Sequence, residues 1–240
     1  WVESTCVVRE WSDEGLARWM MGRRVLFWGD SVLFELAKRW INRIERNDRK
    51  DILQRAIKSR YLMDPLVLDR HPFPNHIAPN SVLDFSHLRG IFSQELDDPE
   101  ALAHRLRLHH APDLLLLNPG LHDMCSRTKE VLERNIPRLL AFLTARLTNK
   151  TRVVWVLPTS THFNRPNYPY YHTKARLAWA AATIHRHIEA SRRDFAGGVS
   201  VLDGFAMSEA AAEESYDGTH YTVPTYDTLT NLILTSWSPT

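Results

Sequence analysis

Four consecutive leucines, Leu114-Leu115-Leu116-Leu117, constrain the fold of this chain more than any other run in it. The run has strand length but lacks the apolar–polar alternation of a strand with one wet face, so both of its faces must be buried. A strand buried on both faces needs helices above and below it. The rest of the chain supplies them, because short apolar runs alternate with longer amphipathic stretches, the pattern of βα units on a parallel sheet. At 240 residues the chain can form one large α/β domain.

The pattern predicts five strands, at Arg24 to Trp28, Ser81 to Phe85, Asp113 to Asn118, Arg152 to Leu157 and Gly198 to Leu202. Helices are predicted at Ser12 to Met21, Ser31 to Asn47, Pro99 to Leu108, Thr128 to Leu147, Lys174 to Ser191, Phe205 to Glu214 and Pro224 to Trp237. Pro137 lies inside the fourth of these and is expected to kink it. Residues 50–80 read as an irregular insertion, with Pro65, Pro72, Pro74 and Pro79 along a wandering loop. No internal repeat or convincing linker divides the chain. The fold class expected is α/β, a single doubly wound parallel sheet of five strands over residues 1–240.

An apolar content of 44% with 24% charged residues argues against disorder, and a net charge of only +2 does not suggest a nucleic-acid partner. No apolar run approaches the roughly 20 residues that cross a bilayer. The chain begins at Trp1 and shows no signal peptide, so it reads as a mature or excised domain, and any membrane attachment would lie in segments outside it. The 12 histidines do not fall at the usual zinc spacings, so no metal is expected. Cys6 and Cys125 are either two buried thiols or one disulfide, which spacing does not decide. Asn149-Lys150-Thr151 is a glycosylation sequon, a triplet that also arises by chance.

In an open parallel sheet, ligands bind at the carboxyl ends of the strands. The loops due there are rich in functional side chains. Gly29-Asp30-Ser31 follows the first strand, and Asp217-Gly218-Thr219-His220-Tyr221 follows the fifth strand and a helix. Together they supply Ser31, His220 and Asp217, the three residue types of a nucleophilic triad, in a chain order with precedent on α/β hydrolase folds. Gly-Asp-Ser alone reads far more readily as a turn and helix-cap sequence. Its place at a strand-to-helix junction favours the chemical reading, since the Ser31 N–H can there serve an oxyanion. The segment Thr159 to His172 carries His162, Asn164, Arg165, Tyr168 and further aromatics, and reads either as a glycan cleft or as a proline-braced surface loop.

Val25-Leu26-Phe27-Trp28-Gly29-Asp30-Ser31 resembles the first block of the SGNH, or GDSL-like, superfamily, and Asp217-Gly218-Thr219-His220-Tyr221 resembles its last. Within that superfamily the chain is similar to the PC-esterase branch, which includes the lumenal catalytic domains of fungal capsule-polysaccharide and animal sialic-acid O-acetyltransferases and the plant xylan acetyltransferases. The resemblance implies a flavodoxin-like sheet and carbohydrate O-acetyl transfer through a Ser31 ester, with His220 as base and Asp217 orienting it. A carbohydrate acetyl esterase and a non-catalytic glycan-binding module are the alternatives. It implies an oxyanion hole drawn from Ser31, Gly90 and either Asn118 or His122. His122 stands where many relatives have asparagine, in Gly120-Leu121-His122-Asp123. Asp30, His162, Asn164, Arg165 and Tyr168 are the expected substrate contacts. The implied partners are a glycan acceptor and an acetyl donor such as acetyl-CoA, with no bound cofactor. The implied setting is a monomeric domain in a secretory lumen such as the Golgi, where Cys6 and Cys125 would pair.

Overall fold

A computed structural model describes residues 8–46, 68–87, 96–121, 128–162, 174–216 and 218–237. Helix α1 (Asp13–Met20) is capped by Ser12, whose Oγ accepts the Gly15 N–H at 3.1 Å. Strand β1 (Arg24–Gly29) leads directly into α2 (Ser31–Glu45), which ends at Arg46 in the left-handed region with φ 51°. Strands β2 (Leu68–Pro72) and β3 (Val82–His87) precede α3 (Pro99–Arg105). Strand β4 (Leu114–Asn118), α4 (Lys129–Arg146) and β5 (Arg152–Val156) follow. The chain then forms α5 (Lys174–Ser191), β6 (Val199–Leu202), α6 (Gly204–Ala210) and α7 (Val223–Trp237). Most predicted boundaries lie within three residues of these. The sixth helix is shorter than expected, because α6 stops at Ala210 and the chain continues as a 3-10 turn over Ala212–Glu214. Helix α4 runs through Pro137 without a break.

The sheet order is β2-β3-β1-β4-β5-β6. Its five parallel strands reproduce the expected set in the flavodoxin-like order, and the order reverses between β1 and β4. The sheet is nevertheless mixed, with six strands rather than five. The added strand, β2, runs antiparallel along the edge of β3, inside the stretch expected to be an irregular loop. It carries no apolar alternation, and its pairing rests on the backbone and on charge. Arg70 reaches the buried Asp84 at 3.5 Å and His71 meets Glu45 at 2.7 Å, while Pro72 suits the end of an edge strand.

The leucine run forms the centre. All five residues of β4 are buried, and Leu114 to Leu117 are fully so. Burying each leucine contributes roughly 1.5–3 kcal/mol, whereas an exposed ion pair such as Arg138–Asp97 contributes roughly 0–1 kcal/mol, so apolar packing holds the sheet. Trp40 of α2 fills one side, edge-on to Phe27 at 5.2 Å and to Trp19 at 5.7 Å, with its indole N–H on Thr230 Oγ1 at 2.9 Å. That contact docks α7 onto α2. The carboxyl ends of β1 and β4 lie side by side, with Gly29 opposite Asn118 in register. The switch point therefore sits directly under Ser31.

Candidate active site

Ser31 is the first residue of α2 and is held between two packed elements. A Cβ on Gly29 would come within 2.6 Å of Leu33 Cδ2, 2.9 Å of Leu33 Cβ and 3.3 Å of Asn118 Cβ. Glycine at this position is thus a packing requirement, since it lets the first turn of α2 close down on the end of β1. Asp30 is the helix cap. Its Oδ1 accepts the Val32 N–H at 2.8 Å, and its carboxylate sits where the helix dipole favours negative charge. Only 1% of Asp30 is exposed, so the expected substrate contact is a buried structural group instead. Asp30 takes the Val32 N–H, and the Ser31 N–H is one of the first-turn donors with no partner inside a helix.

His220 is positioned by a short hairpin. Thr222 N–H donates to Glu214 O at 3.0 Å and Tyr216 N–H donates to His220 O at 3.2 Å, on either side of the antiparallel bridge Ser215–Tyr221. Side chains alternate across such a pair, so Tyr216 and His220 share one face and Ser215 and Tyr221 share the other. Tyr221 points inward. It is buried, and its hydroxyl donates to Ser160 O at 2.8 Å. His220 points the other way, and its Nε2 lies 2.8 Å from Ser31 Oγ. Gly218, with φ 89°, turns the chain in the left-handed region where a side chain would be strained. Its carbonyl accepts the His162 N–H at 2.8 Å, which fastens the hairpin to the segment after β5.

The structure thus brings together Ser31 and His220, which are 189 residues apart in the chain. It uses two other expected site residues differently. Asn118 directs its Nδ2 at the carbonyls of Val156 (2.9 Å) and Leu157 (3.4 Å), so its amide hydrogens tie β4 to the end of β5 and are spent before they can serve an oxyanion. His162 has its Nε2 on Ser208 O at 2.9 Å, a brace to α6. Asp217, Gly90, His122, Asn164, Arg165 and Tyr168 lie outside the described residues, as do Cys6 and Cys125. Two residues of the hairpin were not singled out from the sequence. Tyr216 stacks on the His220 ring with centroids 6.0 Å apart and planes inclined at 19°. Glu214 accepts the hydroxyls of Thr222 at 3.0 Å and Thr225 at 2.5 Å. The turn signal at Gly218 was the only cue to the hairpin that creates both contacts.

Two carboxylates around the hairpin are held below their ordinary range by specific donors. The Thr225 and then the Thr222 hydroxyls favour the ionised form of Glu214. Lys174 and the Ser160 hydroxyl do the same for Glu209, whose side chain links the segment after β5 to α6. Burial pushes the Tyr226 phenol well up, so it stays protonated where it accepts the Tyr221 N–H at 3.4 Å. The centre itself is a hydroxyl in hydrogen-bond contact with an imidazole nitrogen at a helix N-terminus. Such a pair can pass a proton from oxygen to nitrogen as the oxygen attacks an electrophile.

A partly exposed serine opening the helix after β1 thus faces a histidine from near the C-terminus on a flavodoxin-like sheet, an α/β fold like that of acylhydrolases and a GDSL-like lipase of known structure. Solved structures share that fold over nearly the whole chain. A Bacteroides fragilis protein classed as an acylhydrolase matches with a TM-score of 0.54 at 14% identity, over 89% of this chain and 86% of its own. The lipase/acylhydrolase of Enterococcus faecalis matches with a TM-score of 0.52 at 14% identity, over 90% and 94%. An acetylxylan esterase of Geobacillus stearothermophilus matches with a TM-score of 0.51 at 11% identity, over 91% and 96%. No protein-family model matches the chain, and no curated protein matches it.

Proposed function

We propose that this chain is a serine-dependent acyltransferase that moves acetyl groups onto carbohydrate hydroxyls through a Ser31 acetyl ester. The observation that carries the reading is the 2.8 Å contact between Ser31 Oγ and His220 Nε2. In the first half-reaction Ser31 Oγ attacks the acetyl carbonyl carbon as its proton passes to His220 Nε2. The tetrahedral intermediate collapses, the bond to the donor's leaving group breaks, and His220 returns the proton to that group. In the second, a sugar hydroxyl gives its proton to His220 and attacks the acetyl-enzyme. Collapse then releases the sugar acetate and restores the Ser31 hydroxyl. The Ser31 N–H serves the oxyanion, and Asp217 is assigned the far nitrogen of His220. Losing one oxyanion donor typically costs about 100- to 1000-fold in rate. The carbohydrate acceptor, the acetyl donor and the lumenal setting follow from the PC-esterase resemblance of the two end motifs.

Acetyl ester hydrolysis is the second reading, favoured by the fold shared with an acetylxylan esterase. It uses the same acetyl-enzyme with water as acceptor. Incubation with an acetyl donor and an oligosaccharide, with acetylated sugar measured against free acetate, separates the two. Acetate as the sole product at every acceptor concentration overturns the transferase. Both readings require Ser31→Ala to lower turnover by about 10⁴- to 10⁶-fold with the fold intact. Unchanged turnover in that variant would remove Ser31 from the chemistry.

A further inference from the structure

We infer that Tyr216 is a specificity-determining residue, a platform for the ring of a pyranose whose ester is being made or broken at Ser31. The inference rests on the acyl-transfer reading. In that chemistry His220 Nε2 hands its proton to the departing alcohol and later takes one from the incoming alcohol. The alcohol portion of any substrate must therefore lie beside the imidazole. The cross-strand partner of His220 is Tyr216, whose ring lies nearly parallel to the imidazole. It is 60% exposed, beside the imidazole.

A single exposed aromatic needs no explanation on its own. Placement supplies one here. Among the described residues, four large apolar side chains are exposed to this degree, namely Val8, Met21, Tyr216 and Val223, and two of them flank the segment that carries His220. Contacts of other residues fasten the hairpin. The inward hydroxyl of Tyr221, the Gly218–His162 contact and the Glu214 carboxylate hold it in place. A flat ring with a polar rim matches a ligand that has an apolar C–H face bordered by hydroxyls. A pyranose has that shape, and a short alkyl alcohol does not cover the ring.

The experiment compares wild type, Tyr216→Phe and Tyr216→Ala on fully acetylated methyl pyranosides of xylose, glucose, mannose and galactose, with ethyl acetate as the ring-free ester. The kcat/KM ratio of the best pyranoside to ethyl acetate falls about tenfold in Tyr216→Ala, chiefly through KM, and Tyr216→Phe keeps it. A ratio unchanged in Tyr216→Ala overturns the inference, because a ring acting only through His220 lowers both rates together. Calorimetric binding of the same pyranosides to Ser31→Ala, with and without Tyr216→Ala, reads the contact apart from catalysis. The added Tyr216→Ala weakens binding about tenfold. Binding that is absent, or unaffected by Tyr216, overturns the platform. Wild type that binds pyranosides through Tyr216 yet turns over no acetyl ester overturns the acyl-transfer reading and leaves the platform standing.

Discussion

The two halves of the Ser31–His220 contact are held in opposite ways. Ser31 sits where β1 becomes α2, and the residues that place it are the core itself, with Val25 to Trp28 and Leu33, Leu36 and Trp40 all buried. His220 hangs on a hairpin fastened by a handful of hydrogen bonds to the segment after β5 and to α7, each contributing net about 0.5–1.5 kcal/mol. Ser31 therefore cannot be displaced without disturbing the fold, whereas His220 can be moved while the sheet stands. Such a division is useful chemically. The hairpin sets the final distance between two groups whose alignment matters at the scale of an ångström.

Substitutions on each side sharpen this contrast. Gly29→Ala has the largest effect, because the new methyl meets Leu33 Cβ at 2.9 Å and only a backbone shift relieves it. Overpacking of this kind costs about 1–3 kcal/mol, and a displaced Ser31 loses about 100-fold in rate. Thermal melting and kcat/KM fall together, and a variant that loses one alone breaks the claim that frame and nucleophile are inseparable. Tyr221→Phe removes the buried hydroxyl on Ser160 O and costs about 1–2 kcal/mol. Its mark is a larger loss in kcat/KM than the melting shift accounts for, since the hairpin loosens while the sheet stays. Asp30→Ala removes the α2 cap and costs about 1 kcal/mol, read as a lower denaturant midpoint, while Asp30→Asn restores most of it. Asp30→Asn with Ala-like loss would mean that the buried carboxylate has a role beyond capping.

The smallest effect is pH-dependent. Glu214 has its pKa lowered from the ordinary 4.5 by the Thr225 and Thr222 hydroxyls. A lowered folded-state pKa gives a contribution that is present above the ordinary carboxylate range and is lost as pH falls through the lower folded value. Glu214→Gln, a mimic of the protonated acid, should melt slightly below wild type at neutral pH, with the gap closing as both are acidified below about pH 4. A gap that widens in acid contradicts the assigned bonds.

Much of the scaffold was legible in the sequence because apolar periodicity is a local signal. The unbroken leucines gave β4, Lys174 to Ser191 was read to the residue, and the Ser31 elbow followed from strand, glycine and helix in succession. The edge strand β2 was not legible, since it is paired by backbone and charge and has no apolar face to leave a pattern. Asp30 was misassigned because the same residue type caps helices and binds hydroxyls, and only its burial separates the two roles. Asn118 and His162 have structural partners that were hidden for a similar reason. Asn118 Nδ2 and His162 Nε2 meet carbonyls of Val156 and Ser208, 38 and 46 residues away, and no local pattern reports such distant partners. The hairpin around His220 was not legible, because its single bridge, Ser215–Tyr221, leaves no periodic pattern.

The pairing of Tyr216 with His220 also limits how this region of the gene can drift. Alternation along a strand has a period of two, so one residue inserted or deleted between them reverses every side chain beyond it. The inward tyrosine would then face Ser31 and the imidazole would be driven toward Ser160, with composition scarcely altered. Length changes elsewhere on the rim cost only loop closure. Here a single codon gained or lost exchanges the imidazole for a phenol, so the spacing from Tyr216 to Tyr221 should be held more strictly than the identities of most residues within it.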